Sequence, residues 1–186
     1  MNLVSDMDTT LFSRLSILTM LHGLVFGGAA LLGLAAALFS MRAMQPGNAS
    51  GASAQVEGRA LTRLTVFVAV VLWLTVIAGT YVIFPPYRAT PPDGIVDLSA
   101  YPRSLLQSNP QTVWLHAFAM EVKEHVPWIA AMLATAVAFV SVRYRGGLLT
   151  DPRLRRIATT LLSICFLLVA GAAVLGVFIN KVAPLE

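Results

Sequence analysis

The sequence predicts an all-α membrane protein, a four-transmembrane-helix bundle with an irregular proline-rich outer loop and a short outer helix before the third span. Only 12% of the 186 residues are charged and the mean hydropathy is +0.76. Ordinary soluble domains carry about 25% charged residues. Four long apolar stretches also occur, and each approaches or exceeds the ~20 residues that a helix needs to cross a bilayer.

The predicted spans cover residues 15–41, 64–87, 126–142 and 157–180 within one domain, 1–186. The first stretch is longer than the apolar region of a signal peptide and follows two acidic residues, so we expect it to be a retained helix. The single cysteine, Cys165, lies within the fourth stretch. Because the sequence has no CxxC or CxxCH motif, it does not predict a covalent c-type haem, an iron–sulfur cluster or a thiolate zinc site.

The distribution of charge predicts the orientation. Loops 42–63 and 143–156 together carry eight basic residues and two acids, whereas the other side carries five basic residues and seven acids. The positive-inside rule therefore places both loops in the cytoplasm and both termini outside, in a multi-pass protein of the bacterial cytoplasmic (inner) membrane. The lipid bilayer is then the first partner. This rule also explains the pI of about 9.7, and no nucleic-acid-reading motif is present.

Residues 85–125 are predicted to form a cap over the outer face. Six prolines lie between 85 and 110, with tyrosines and apolar residues between them. Prolines stiffen the chain and prevent a regular helix, so we expect an irregular but ordered segment; a flexible connector is the alternative. Because Pro127 removes a backbone donor, segment 112–125 is predicted as an outer helix that kinks or restarts as the third span.

Small residues at four-residue spacing predict close helix packing. Gly23 and Gly27 form a GxxxG motif, which Ala29, Gly33 and Ala37 continue. In lipid, such surfaces let helix backbones approach each other. The pattern is equally compatible with packing inside one bundle and with contacts to other membrane subunits or to a second copy in a homo-oligomer.

The three histidines, His22, His116 and His125, fall in the predicted outer half. His22 lies twenty residues before Arg42, and His125 lies eighteen before Arg143, so the two have similar depths in parallel helices. We therefore expect their imidazoles to face each other. His116 precedes His125 by nine residues and lies on the opposite helix face; it is the substitute for either histidine.

Two imidazoles at the same depth in the membrane suit a b-type haem, whose iron binds one neutral imidazole nitrogen from each of two helices. Gly23 and Gly27 would form the slot, and basic residues on the same side would pair with the propionates, namely Arg14, Arg88 and Lys181. A copper, zinc or iron ion held by His22, His125 and Glu121 is a second possibility. Purely structural histidines, with no cofactor, are the third. Glu121, Lys123 and Glu124 are expected to be solvated or paired with one another.

Three stretches resemble a bacterial family of small four-helix membrane proteins of uncharacterised function: GTYVIFPPYRATPPDGIVDLSAYPRSLL (79–106), WLHAFAMEVKEHVPW (114–128) and FINKVAP (178–184). The resemblance covers roughly the last two-thirds of the chain and implies no activity. The general plan is also similar to small b-type membrane cytochromes. The chain lacks the second, cytoplasmic-side histidine pair of the di-haem pattern, which argues against two stacked haems.

These observations favour a membrane electron-transfer subunit that binds one haem b near the outer (periplasmic) face, within a larger respiratory or photosynthetic complex. Its expected partners are other membrane subunits, quinone or a periplasmic electron carrier. A non-catalytic accessory subunit and an outer-face His/Glu metal site are the alternatives. No Ser–His–Asp arrangement, phosphate loop or carboxylate pair predicts a stand-alone enzyme.

Overall fold

The computed structural model describes residues 13–43, 52–144 and 147–185, and within them it contains helices, turns and one irregular segment. Four helices are long and apolar enough to cross a membrane. They are α1 (Arg14–Ala43), α2 (Ala52 to Tyr87), α4 (Leu115–Tyr144) and α6 (Pro152–Val182). Two short helices complete the set, α3 (Pro102–Gln107) and α5 (Gly147–Thr150). For the described residues, the predicted all-α fold with four long apolar helices is confirmed.

The long helices extend beyond the apolar stretches that predicted them. α6 begins at Pro152 because the Asp151 carboxylate accepts hydrogen bonds from the backbone N–H groups of Arg153 and Leu154, at 2.8 and 3.3 Å. Such an N-cap satisfies donors that a helix end leaves free. Hydropathy marks only the part of a helix that lipid can cover, so it gives helix ends too far inward.

The third long helix, α4, starts at Leu115, well before the predicted boundary at 126. Nearly all of segment 112–125 is helical, as predicted, and this outer part continues into the third span as one helix without the restart that was the other possibility. Pro127 lies inside the helix. It removes one backbone hydrogen bond, to the carbonyl of Lys123, and helices packed in a membrane bundle tolerate such a loss.

The four long helices pack in chain order around the bundle. α1 lies between α2 and α6, and α4 lies between the same two helices on the other side. α1 and α4 are thus diagonal to each other. We call the end where α2 stops and α4 starts the cap end, and the end where α1 stops and α6 starts the arginine end.

The buried apolar residues form two separate clusters along the bundle. The larger one fills the arginine half and includes Leu34, Val68, Leu72, Ala134 and Leu162. The second, which we call the cap core, contains Tyr87, Leu106, Leu115, Ala119, Met120, Ile179, Ala183 and Leu185. The interior between the two clusters lies at about the level of His22 in α1, Gly79 in α2 and Lys123 in α4.

Close packing of α1 on α2 occurs deeper than the GxxxG motif. A Cβ added to Gly33 would lie 2.8 Å from Cγ2 of Val68, whereas one added to Gly23 would meet nothing within 4 Å. Ala30 and Ala37 are buried on the same face as Gly33. The small-residue surface of α1 therefore centres on Gly33.

The segment between α2 and α4 covers the cap end. Its residues 88–101 are irregular, and α3 follows with Pro102 and Leu106 buried. Asp97 accepts a hydrogen bond from the Ser99 backbone N–H at 3.0 Å, and this bond holds the pKa of the Asp97 carboxyl below its ordinary value. Leu106 joins the segment to the cap core.

Candidate functional site

Three π-helical turns cluster in the cap half of the bundle. They cover Leu21–Gly27 in α1, Gly79–Ile83 in α2 and Leu115–Met120 in α4. A π-helical turn widens the backbone and shifts the register of the side chains beyond it, and such turns are frequent at functional sites. His22 lies in the first of them and His116 in the third, so two of the three histidines sit on locally altered helix.

His22 packs into a notch on α2 where a glycine leaves room for its ring. A Cβ added to Gly79 would lie 2.8 Å from Cε1 of His22 and 3.4 Å from Nε2. The Nδ1 atom of His22 is buried and, among the described residues, has no partner at hydrogen-bond geometry, although the backbone carbonyl of Thr75 lies close enough to interact with the imidazole. Unpartnered buried polar atoms are rare in folded proteins because they lose water without replacement.

Lys123 occupies a similar notch on α6. A Cβ added to Gly176 would lie 2.9 Å from Nζ of Lys123 and 3.5 Å from Cε. In the described part of the chain, the ammonium forms no ion pair. It lies within electrostatic range of the His22 imidazole. The expected pairing of Lys123 with Glu121 or Glu124 is therefore wrong, and its charge is directed toward the bundle interior.

His125 lies on the other side of α4. Its side chain is 71% exposed, and its Nδ1 lies 2.9 Å from the Glu121 carbonyl oxygen and 3.8 Å from Oε2 of Glu121. Two residues along an α-helix correspond to a rotation of about 200°. Since Lys123 points into the bundle, His125 points out of it.

The structure thus does not bring the imidazoles of His22 and His125 together. They belong to diagonal helices, and the inward position on α4 at this level is taken by Lys123. Among the described residues, no group of three or more His, Cys, Asp or Glu side chains is placed to hold a metal ion. The set His22, His125 and Glu121 is not assembled around one point in the described structure, and the bis-histidine haem and the small-metal site stay predictions.

The remaining predicted haem neighbours lie apart from His22. Gly23 faces open space, and a Cβ on Gly27 would meet only the His22 carbonyl oxygen, at 3.6 Å. Arg14 and Lys181 are exposed, and Arg88 lies over the Phe84 ring, 5.3 Å from its centroid. These residues line no slot between helices in the described structure.

His116 belongs to a polar cluster at the cap end that the sequence did not predict. Its Nδ1 is hydrogen-bonded to the Tyr87 hydroxyl at 2.9 Å. Arg103 and Glu124 lie within electrostatic range of both. The Nε atom of Arg103 is buried and has no hydrogen-bond partner among the described residues. We call Tyr87, Arg103, His116 and Glu124 the cap polar cluster.

Comparisons of the chain with protein families, with curated proteins and with solved structures give no match.

The chemistry available at the interior site is that of two bases within electrostatic range of each other. A lysine ammonium offers three donors, and a neutral imidazole offers one donor and one acceptor. The sequence analysis found His22 but missed its relation to Lys123. The helical spacing of Lys123 and His125 allows only one of them to face inward, and the contact of Lys123 with Gly176 shows which one it is.

Proposed function

We propose that the protein is a multi-pass protein of the bacterial inner membrane, with both termini outside, and that it binds and exchanges a proton at His22 and Lys123. The observation that carries this proposal is the unpartnered Nδ1 of His22 in electrostatic range of an ammonium that has no ion pair among the described residues. Ionisable groups inside a membrane are costly and mark functional sites by default.

Membrane location is supported by the outer surface of the bundle. Within the most apolar window of each long helix, only 22–33% of the residues are buried inside the bundle. Large apolar side chains therefore face outward, among them Leu32, Phe39 and Leu167. Exposing such an apolar surface to water is unfavourable, whereas contact with lipid chains carries no such penalty. The two arginine-rich loops support the orientation through the positive-inside rule.

Proton exchange is supported by the balance of charge at the site. Two positive charges in a low-dielectric interior repel each other strongly, and no carboxylate forms an ion pair with Lys123 among the described residues. The pair therefore holds one proton more readily than two. Protonation of either base then disfavours protonation of the other, so the site has two states that differ by a single proton.

Access from the cap end is supported by the cap polar cluster. Tyr87, Arg103, His116 and Glu124 lie at the cap end of the bundle, and Glu124 directly follows Lys123 on α4. Rows of ionisable side chains are how membrane proteins lead protons past apolar surfaces. Among the described residues, no carboxylate, histidine, lysine or arginine is buried in the arginine half, whereas on the cap side Tyr87 belongs both to the cap core and to the cap polar cluster. We therefore assign exchange to the cap side.

Histidine-selective ¹⁵N NMR of the purified protein in lipid nanodiscs tests the proposal. We expect the His22 imidazole signal to change reversibly with pH and to respond to Lys123→Met. Lys181→Met is the matched control, because Lys181 is the only other lysine in the sequence and is exposed. A His22 signal that is independent of pH while the bundle stays folded, or that ignores Lys123→Met, would overturn the proposal.

Electron transfer through a haem b stays a prediction of the sequence that no contact in the bundle favours. It requires a Soret band in the purified protein that is lost in both His22→Ala and His125→Ala. Finding that band would replace the proton-exchange proposal with the haem one.

A further inference from the structure

A cavity opens at the arginine end, between the last turn of α1 and the first turns of α6. Its volume is about 340 Å³. Arg42 and Met41 line it from α1, and Arg155, Arg156, Thr159 and Thr160 line it from α6. The cavity is far from His22 and Lys123, and it belongs to none of the chemistry described above.

The lining of this cavity is cationic. Three of its residues are arginines, and none of the described residues that line it is a carboxylate. Arg155 has an interaction partner of its own, so the charge left for an anion is that of Arg42 and Arg156, which are exposed. The guanidinium group is planar and presents donors in a fork that matches the oxygens of a phosphate. Clustered arginines that repel one another are stabilised when an anion binds between them.

Two hydroxyl groups line the cavity beside the arginines. The Thr159 hydroxyl donates to Sδ of Met41 at 3.6 Å, and Thr160 lies next to it on α6. The N-terminus of α6 opens beside the cavity, but the Asp151 carboxylate caps it and offsets its partial positive charge. The attraction for a phosphate therefore comes from the arginine side chains, with Thr160 as a neutral donor in the same cavity.

The position of the cavity identifies the source of the phosphate. Its arginines lie at the junction between the apolar stretch of α6, which starts near Ile157, and the polar loop before it. In a bilayer this junction lies at the level of the lipid headgroups. Basic pockets between helices on the cytoplasmic side are typical binding places for acidic lipid headgroups.

We infer that this cavity binds the phosphate of an acidic phospholipid headgroup. The inference rests on the proposed membrane location but not on proton exchange at His22. A failure of the NMR experiment described above would therefore leave it standing, and its own failure would leave the His22–Lys123 site untouched.

Lipid binding to the full-length protein in neutral detergent tests the inference, with the shift of the thermal unfolding midpoint as readout. The probes are short-chain phosphatidylglycerol, short-chain phosphatidylcholine and inorganic phosphate. We expect phosphatidylglycerol alone to stabilise the protein. The double variant Arg42→Gln/Arg156→Gln should weaken this binding about tenfold or more, since each basic residue contributes roughly 1 kcal/mol near an anionic surface.

The matched control is Arg59→Gln/Arg63→Gln. These arginines are exposed near the same end of the bundle, on α2, outside the cavity, and their removal changes the net charge equally. It should change affinity less than about threefold. Equal losses in both variants would mean diffuse attraction and overturn the inference. So would equal stabilisation by inorganic phosphate, which would assign the site to a water-borne anion, or by phosphatidylcholine.

Discussion

His22 and His125 have similar predicted depths in the bundle but opposite surroundings. His22 fills a glycine notch on α2, and its Nδ1 is buried without a partner. His125 is 71% exposed and bonds to Glu121 on its own helix. The residue of α4 that lies within electrostatic range of His22 is Lys123. The difference shows that depth in a membrane helix does not define a site, because the rotation of the helix decides which side chain faces the interior.

The largest effect is expected from filling the notch under His22. Gly79→Ala places a Cβ 2.8 Å from the rigid imidazole ring, and we expect the free energy of unfolding to fall by about 1–3 kcal/mol. The measurement is unfolding in mixed micelles with increasing SDS, followed by tryptophan fluorescence. In Gly171→Ala the new Cβ meets nothing within 4 Å, so that control should not lose stability. Equal losses would mean that the notch is not shaped around His22.

The second effect has the opposite sign. Lys123→Met keeps most of the side-chain volume and removes a charge that is held inside the bundle without an ion pair among the described residues. We expect the free energy of unfolding to rise by about 1–2 kcal/mol in the same assay. Lys181→Met on the exposed surface should change it by less than about 0.5 kcal/mol. A clear loss of stability in Lys123→Met would show that the ammonium serves as a structural donor.

A smaller effect is expected in the cap polar cluster. Tyr87→Phe removes the 2.9 Å hydrogen bond to Nδ1 of His116, which should lower the free energy of unfolding by about 1 kcal/mol. A double-mutant cycle with His116→Phe should return a coupling energy of about 0.5–1.5 kcal/mol. Tyr81, which is 69% exposed, provides the control Tyr81→Phe. A coupling energy near zero would mean that the hydrogen bond between Tyr87 and His116 does not stabilise the folded protein.

The smallest effect is expected at His125. Because its side chain is exposed and the neighbouring Glu121 side chain is also exposed, His125→Ala should change the free energy of unfolding by less than about 0.5 kcal/mol. The contrast with His22→Ala in the same assay sharpens the comparison. A loss at His125 as large as the loss at His22 would mean that the His125 side chain is packed inside the folded protein and not exposed.

The sequence predicted the number of long helices because length and hydropathy depend only on local composition. It placed the start of the third span at 126 because the polar residues from Glu121 to His125 end the apolar stretch, whereas the helix itself continues outward to Leu115. Hydropathy also could not predict the rotation of α4 about its own axis. Glu121, Lys123, Glu124 and His125 follow one another so closely that polarity marks no single face.

Of the two residues in the interior site, the sequence predicted His22 but not Lys123. His22 was identified because an ionisable residue within an apolar stretch is unusual. His125 was predicted as its partner because counting along the chain gives the depth of a residue but not the rotation of its helix. The glycines that receive the two side chains, Gly79 and Gly176, can be recognised only from contacts between helices.

Thiol accessibility at positions 123 and 125 tests most directly which residue of α4 faces the interior. Single cysteines are introduced as Lys123→Cys and His125→Cys in a Cys165→Ala background, and their reaction rates with a small maleimide are compared before and after unfolding. We predict that the thiol at 125 reacts readily in the folded protein and that the one at 123 reacts only after unfolding. A protected thiol at 125 and a reactive one at 123 would contradict the account.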